Sequence, residues 1–516
     1  MPDLPGRQAG ASALLFAAAL LYLPLIGSLP LIDVDEGAFS EATRELLASG
    51  DWLSTTLNGQ PRFDKPILIY WLQAASVSIF GLNEFALRLP SVLAALGWFA
   101  AIRHFAAPRL GAPTATLAAW AAATSFGVLF IGRAATADAL LNLLLALALF
   151  DAWRHLESGG RWPLLRTYAL IALGVLTKGP IAVLVPLAVT LLFCATTGRL
   201  RDWLRAAADL RGWAVFLLIA APWYAYAFAA HGQAFWDGFF VRHNLQRFGG
   251  PLEGHGGSVL YYAAAVPLLL LPWTGVLLAM LPTLRRAWAE PLPRFLWLWA
   301  LFVIVFFSLS GTKLPHYALY GATPLFLLVA QHTLTMRRSW LALLWPTIAL
   351  ALFIALPWLL SLAAARTQDP RAALHAMLLG AAPQVAGGVY FAIAGAALLA
   401  WLGTLALRRL PAATALAIGA GLVAFALVAA VTPLAGELLS GPVKRAAIAA
   451  RAYDEPVVQW NFHVPSFSVY RQRVTPARPP QPGELAITRA DRLAADAPVD
   501  ILFQERGVLL VRRKPD

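Results

Sequence analysis

Charge is what this chain has least of. Of its 516 residues only 13% are Asp, Glu, Lys or Arg, while 59% are hydrophobic. A soluble domain carries about twice that charge, so a water-soluble fold is excluded and an all-α polytopic membrane protein is implied. The mean hydropathy of +0.66 agrees. Cysteine is nearly absent: Cys194 stands alone inside an apolar run. An intramolecular disulfide and a Cys-based metal site are therefore excluded. The chain also lacks a P-loop, a G-x-S-x-G elbow and a Cys/His zinc spacing. The excess of basic over acidic residues, 40 against 27, is arginine scattered through short loops. That pattern speaks for membrane orientation and against nucleic acid as a partner.

Apolar runs of about 20 residues, the length of a membrane helix, fall at 11–32, 84–102, 112–131, 137–153, 165–177, 179–197, 212–230, 258–281, 293–310, 314–333, 339–364, 383–407 and 411–433. That makes about 13 transmembrane helices. The first follows Arg7 without a small-x-small cleavage site and is expected to stay as a helix. Residues 165–197 can be read as one long span or as two. The apolar stretch 67–80 is short enough to lie in the interface. Arginines mark alternate loops: Arg103 and Arg109, Arg154 to Arg166, Arg199 to Arg211, Arg285 to Arg294, Arg337 and Arg338, Arg408 and Arg409. They fall on one side only if 165–197 is two spans, and the positive-inside rule makes that side cytoplasmic. The opposite loops then face the periplasm of a Gram-negative inner membrane. The sequence divides into a membrane domain, 1–435, with a polar periplasmic loop at 33–66, and a small periplasmic α/β domain, 436–516. Short runs at Val457–Trp460, Phe467–Tyr470, Glu484–Ile487 and Ile501–Val511 read as its strands.

The polar residues gather on the outward rim. Asp33, Asp35 and Glu36 open an amphipathic segment with apolar Phe39, Ala42, Leu46 and Leu47, charged Glu41, Arg44 and Glu45, and a stop at Gly50. Asp33 with Glu36 resembles a capping box, which leaves Asp35 spare for chemistry. Asp64-Lys65 precedes Pro66, so Lys65 is held extended at a helix entrance. It is either an ammonium placed for a phosphate or a snorkelling lysine. Arg133 and Asp138 bracket an outward turn and either pair with each other or extend the polar site. Lys178 and Lys313 add cations to the same face. The loop from Phe239 to Gly257 carries Arg242, His243 and Arg247 among aromatics, as suits an anionic lipid headgroup. His243 is either solvated or, with an outward carboxylate, half of a metal site. Cations around a few carboxylates make a clamp for a phosphorylated lipid plus a candidate base.

At these residues the chain resembles a known family. Asp35-Glu36, Phe39-Ser40-Glu41, Arg44-Glu45, Gly50-Asp51-Trp52, Phe63-Asp64-Lys65-Pro66 and Tyr70-Trp71 look like the first outward loop of the aminoarabinose lipid A transferases. These belong to the polyprenyl-phosphate-dependent, GT-C type glycosyltransferases, together with the protein O-mannosyltransferases. The likeness continues through Arg133/Asp138, Thr177-Lys178-Gly179, Arg242 to Phe248 and Lys313-Leu314-Pro315. It implies a GT-C fold and transfer of a sugar, 4-amino-4-deoxy-L-arabinose or a hexose, from undecaprenyl phosphate to lipid A or another envelope acceptor. It implies catalytic Asp35, Lys65 and Asp138, donor-phosphate binding by Lys65 and Arg247, and substrate contacts from Glu36, Arg133, Lys178, Arg242 and Lys313. It also implies a place for a divalent metal ion at Asp64 and His243, with no other cofactor. The chain departs from the aminoarabinose enzymes at Ala38-Phe39, where they carry Arg-Tyr, and at Asp64, where they carry Glu. A transporter or flippase is the main competing reading. It would need polar residues deep within the spans and broken helices in symmetric halves. A structural membrane protein is a third.

Overall fold

The computed structural model describes residues 5–250, 256–336, 339–367, 369, 372–494 and 496–515. Helix dominates because most of the chain has to satisfy its backbone polar groups internally in lipid. The first elements are α1 (Pro5–Tyr22), α2 (Asp35–Ser49), α3 (Leu68–Phe80), α4 (Glu84–Leu110), α5 (Ala112–Thr124), α6 (Phe126–Gly132), α7 (Asp138–Ser158) and α8 (Arg161–Lys178). Helices follow at Ile181–Thr196, Leu210–Phe235, Pro291–Leu309, Ala322–Thr335, Trp340–Arg366, Ala382–Ala406 and Ala412–Ala426.

Helix occupies each of the thirteen expected positions. Among the described residues, seven helices are long and apolar enough to cross a membrane, and the bent pair α5 and α6 makes an eighth. The other positions hold broken helices or short ones, Ser12–Tyr22 and Ile181–Thr196 being under 18 residues. α5 and α6 meet at 67° around Ser125. Residues 258–281 split into Tyr261–Leu269 and Thr274–Met280. The run 314–333 begins as a tight 3-10 turn at Pro315–Gly321. Residues 165–197 are two helices, closed at Gly179 with a positive φ of 78°. Any side chain there would also strike the Phe239 ring, 2.6 Å away.

α2 forms as expected and ends at left-handed Gly50, but its polar face is not in water. Glu41 and Glu45 are buried. Arg44 grips Glu41 through two bonds of 2.7 and 2.8 Å, and Glu45 accepts from Thr56 and from Gly59 N at 3.2 Å. The cover consists of the strand pair Thr56–Leu57 and Gln60–Pro61 and a helix from the C-terminal region, Pro465–Arg471. The capping box is not formed. Asp33 instead accepts from the Ser466 N at 3.0 Å and from the Ser466 hydroxyl. Glu36 turns to Arg88.

The C-terminal sheet has four strands, named here β1 (Val457–Gln459), β2 (Leu485–Arg489), β3 (Val499–Glu505) and β4 (Val508–Arg513), in the order β1-β2-β4-β3. β1 and β2 run parallel and the other neighbours antiparallel. The run Phe467–Tyr470, expected as a strand, is helical. Pro465 starts that helix, a position where its missing N–H costs nothing. The apolar core of this region is shared with Leu31, Val77, Leu87 and Ala135 of the membrane part.

Candidate active site

The rim site is built where α2, the turn before α7, the end of α8 and the 3-10 turn Pro315–Gly321 converge. Asp138 is the first residue of α7 and Lys178 the last of α8. Their side chains meet at 2.5 Å, and both are nine-tenths buried. Tyr320 donates its hydroxyl to the same Asp138 oxygen at 3.0 Å, and His316 Nε2 lies 3.8 Å from it. Lys178 also sits over the rings of Tyr317 and Tyr320 at 5.7 and 5.5 Å. The sequence offered Arg133 as a partner for Asp138, but Arg133 points elsewhere. Its guanidinium donates to the carbonyls of Leu21, Tyr22 and Pro24 at 2.6 to 2.9 Å. It closes the C-terminal end of α1, where those carbonyls lack helical partners.

The Asp138 cluster forms the wall between two cavities. The first, of about 420 Å³, is lined by Asp64, Lys65, Lys178, His243 and Asn244 at one end and by Trp236, Phe240, Leu245, Phe248, Phe306 and Phe307 along its sides. The second, of about 330 Å³, contains Asp33, Asp35, Glu36, Arg88, Arg133, Thr136, Asp138 and His316 above an apolar floor. The His316 imidazole is within electrostatic reach of Asp138, Lys178, Asp35 and Lys65, so it senses both chambers.

All but one of the sequence-derived residues have a described side chain. Asp35 is exposed at the start of α2, lines the second cavity, and makes no hydrogen bond or ion pair among the described residues. Glu36 is 4% exposed and fully engaged: Arg88 bonds both its oxygens at 2.7 and 2.8 Å, and the N–H groups of Ile32 and Ala135 add 2.9 and 2.7 Å contacts. It pins the loop rather than reaching for a ligand. Lys65 Nζ donates to the Asp64 carbonyl at 3.0 Å and faces the first cavity. Asp64 accepts from His243 Nε2 at 2.8 Å and lies 3.4 Å from Arg62. Burial would push the Asp64 carboxyl up, but the His243 hydrogen bond and the charges of Arg62 and Lys65 outweigh it and hold the group well below the usual carboxylate range. Lys313 is turned away: its ammonium caps the carbonyls of Ser308 and Ser310 at 2.9 and 2.7 Å, at the end of Pro291–Leu309. Arg242 is exposed and lines neither cavity. The Arg247 side chain lies outside the described residues.

A metal at Asp64 and His243 would find two protein donors. Among the described residues no third His, Cys, Asp or Glu joins them. His243 Nδ1 is buried without a hydrogen-bond partner. The pair fits a divalent ion only if phosphate oxygens and water complete the shell, as hard cations accept.

Four further residues of the site, His316, Tyr320, Arg88 and Thr136, are not marked as functional by the sequence pattern. His316 stood in the motif Lys313-Leu314-Pro315-His316-Tyr317 but was eclipsed by the lysine. Arg88 was hidden inside the apolar run 84–102, where an arginine is itself a signal. Tyr320 and Thr136 left no signal of their own.

Known proteins share this fold. The family described as Dolichyl-phosphate-mannose-protein mannosyltransferase matches residues 64–226. Over its full length the chain superposes on the crystal structure of ArnT from Cupriavidus metallidurans bound to undecaprenyl phosphate, with a TM-score of 0.80 at 22% identity, covering 98% of this chain and 99% of that one. The fold is the GT-C fold. The Archaeoglobus fulgidus oligosaccharyltransferase AglB shares it more distantly, at a TM-score of 0.52 and 13% identity over 92% of this chain and 64% of that one. In sequence, the undecaprenyl phosphate-alpha-4-amino-4-deoxy-L-arabinose arabinosyl transferase of Pseudomonas paraeruginosa is 34% identical over 347 residues, 64% of this chain and 60% of that protein. The Shewanella sediminis enzyme of the same name is 32% identical over 327 residues, 60% and 57%. The chain thus spans about 60% of the length of the curated relatives it matches. The GT-C fold accounts for the broken helices: they position the rim, and among the described residues the charged groups that line both chambers sit at that one end.

Proposed function

We propose that the protein is an inner-membrane glycosyltransferase that moves a sugar, 4-amino-4-deoxy-L-arabinose or a hexose, from undecaprenyl phosphate to lipid A or another envelope acceptor. The observation that carries this is the meeting of two cavities at Asp138, Lys178, Tyr320 and His316. One has ammonium groups at its head and a long aromatic and aliphatic wall, the shape of a polyprenyl phosphate. The other offers an uncommitted carboxylate.

In this reading the isoprenoid lies along Trp236, Phe240, Phe248 and Phe306, and Lys65 and Lys178 face the phosphate. The acceptor approaches from the second cavity and displaces the phosphate at the anomeric carbon with inversion. The breaking C–O electron pair passes to the phosphate oxygen, where the ammonium groups stabilise the developing charge. Asp138 holds Lys178 in place. A divalent ion at Asp64 and His243 would add further charge neutralisation at the phosphate. The arginines at the far ends of the helices set the orientation, with the site and the C-terminal region periplasmic. α7 runs from Asp138 at the rim to Arg154 near its other end, about 24 Å away along the helix.

The test is transfer from radiolabelled undecaprenyl phosphate-aminoarabinose by the purified full chain. Asp35→Asn and Lys65→Ala should each reduce turnover by two or more orders of magnitude, about what a lost base or charge clamp costs. Both proteins should keep the wild-type thermal midpoint. Near-normal turnover in both removes this site from consideration. EDTA should lower wild-type turnover, with recovery on adding Mg²⁺ or Mn²⁺; unchanged turnover rules out the metal.

A further inference from the structure

A third cavity, of about 240 Å³, lies at the end of the membrane domain away from the rim and has no part in the transfer site. Its wall includes Ala152 and His155 of α7, about 20–25 Å along that helix from Asp138. α8 adds Thr167 and Tyr168, near the end opposite Lys178. A short helix, Leu200–Ala207, adds Trp203. We propose that this cavity holds an acyl chain of an anionic phospholipid from the leaflet opposite the rim, with the headgroup held by Arg201, Arg205 and Arg211.

The interior selects an apolar occupant. Thr167 and Thr190 turn their hydroxyls onto the carbonyls of Pro163 and Pro186 at 2.9 and 2.7 Å. Tyr168 donates its hydroxyl to the carbonyls of Ala206 and Ala207 at 2.9 and 3.0 Å. The indole N–H groups of Trp203 and Trp213 go to Thr190 Oγ1 and the Ala207 carbonyl at 3.0 and 2.9 Å. Water stays in a cavity only where about two to four polar partners hold it. Here the hydroxyl and indole donors are already spent on protein, so a hydrocarbon chain fits better than water. Leu187 and Trp213 line the cavity and are exposed, which lets a chain enter from the surrounding lipid.

The mouth selects a negative headgroup. In Leu200–Ala207, Leu200 and Leu204 stand one turn apart and are exposed, while Arg201 and Arg205 stand one turn apart on the face away from Trp203. Exposed leucines beside arginines mark a helix at the boundary between acyl chains and headgroups. Arg201 and Arg205 flank Trp203 in sequence, and Arg211 precedes Trp213. Arg201 and Arg211 are exposed and make no hydrogen bond or ion pair among the described residues. The Arg205 side chain is 81% exposed, 3.9 Å from Asp202. The nearby acids are committed: Asp202 lies 3.2 Å from Arg199, and Asp209 accepts from Gly212 N at 2.8 Å at the start of Leu210–Phe235. Charge beside the opening is therefore positive, and a phosphodiester complements it.

Photolabelling of the purified full chain tests this. A phosphatidylglycerol probe with a diazirine on its acyl chain would be irradiated with the protein in phosphatidylcholine nanodiscs, and labelled peptides mapped by mass spectrometry. Label is expected on segments 183–190 and 203–216, which line the cavity. Excess unlabelled phosphatidylglycerol should displace it, and excess phosphatidylcholine or undecaprenyl phosphate should not. Arg201→Gln/Arg211→Gln should cut this label about tenfold, the effect of removing two cations from beside an anionic headgroup. Added phosphatidylglycerol should raise the thermal midpoint of wild-type protein, as a ligand of the folded state does, and raise that of the variant less. Equal labelling by the matching phosphatidylcholine probe, or unchanged label in the variant, overturns the anionic headgroup. Displacement by undecaprenyl phosphate makes the cavity a second polyprenyl site and overturns the phospholipid. No label on either segment overturns the whole proposal. The wild-type displacement pattern decides between these outcomes even where the paired variant fails to fold.

Discussion

Residues acquire their meaning here from partners far away in sequence. Asp138 and Lys178 are 40 positions apart and form a buried pair at 2.5 Å. Removing one member of such a pair strands the other charge. Lys178→Met should destabilise the protein by about 3 kcal/mol or more and abolish transfer. The double variant Asp138→Asn/Lys178→Met should regain much of the thermal stability and none of the activity. Thermal melts in detergent beside a transfer assay would separate the two effects, and a double variant no more stable than the single would show that the pair is not coupled. Tyr320→Phe removes one donor to the Asp138 carboxylate and should cost about 1.5–3 kcal/mol. The residues that the sequence offered most openly, Asp35, Lys65 and the Asp64–His243 pair, all face the two chambers. Glu36 and Lys313 looked alike in sequence but are engaged in holding backbone, because the chain ends they cap need polar partners more than the cavity does.

At the scale of elements, the decisive contact is between α2 and the C-terminal helix Pro465–Arg471. It depends on Gly37, where a Cβ would lie 2.0 Å from Asp33 Oδ1 and 2.6 Å from Ser466 N. Gly37→Ala should loosen this contact, seen as faster proteolysis of the C-terminal region and lower transfer. Unchanged proteolysis would show that the contact does not hold the region. Asp33 makes the same contact titratable. Burial pushes its carboxyl up to about 7, the Ser466 hydrogen bonds pull it down, and nearby Glu36 adds to the rise. The folded state therefore binds this proton more tightly than the unfolded chain does. Stability from this group is greatest at low pH and falls as pH rises from about 4 towards about 7, then levels off. The thermal midpoint of wild-type protein should drop between pH 5 and pH 7 relative to Asp33→Asn. Parallel curves for the two would assign the titration elsewhere.

On the scale of the whole molecule, the charge distribution supports the proposed sidedness. Arginines gather at the ends of α4, α7 and Pro291–Leu309 away from the rim, as in Arg109 with Glu157 and Arg166 with Asp151 at 2.7 Å. The lone Cys194 is buried, so introduced cysteines report topology against a clean background. Asp51→Cys should react with an impermeant maleimide in intact spheroplasts, and Arg205→Cys only after lysis. The opposite pattern would invert the proposed orientation.

The sequence by itself determined what one-dimensional pattern can carry. Long apolar runs dictate helices in lipid, arginine spacing dictates sides, and clustered Asp35, Asp64 and Lys65 mark the rim. The helix stop at Gly50 was equally legible, because its backbone demand is local. Tertiary structure alone decided the rest. It bent α5 against α6 at Ser125 and split the apolar run 258–281 into two helices. It buried the polar face of α2 under a distant helix, which no hydrophobic period in α2 could foretell. It turned Arg88 and Arg133 onto carbonyls, leaving a chamber whose charge differs from the sum of its residues. The reason is physical: pairing at 3 Å sets whether a charged group is spent or available, and that distance exists only once the chain has folded.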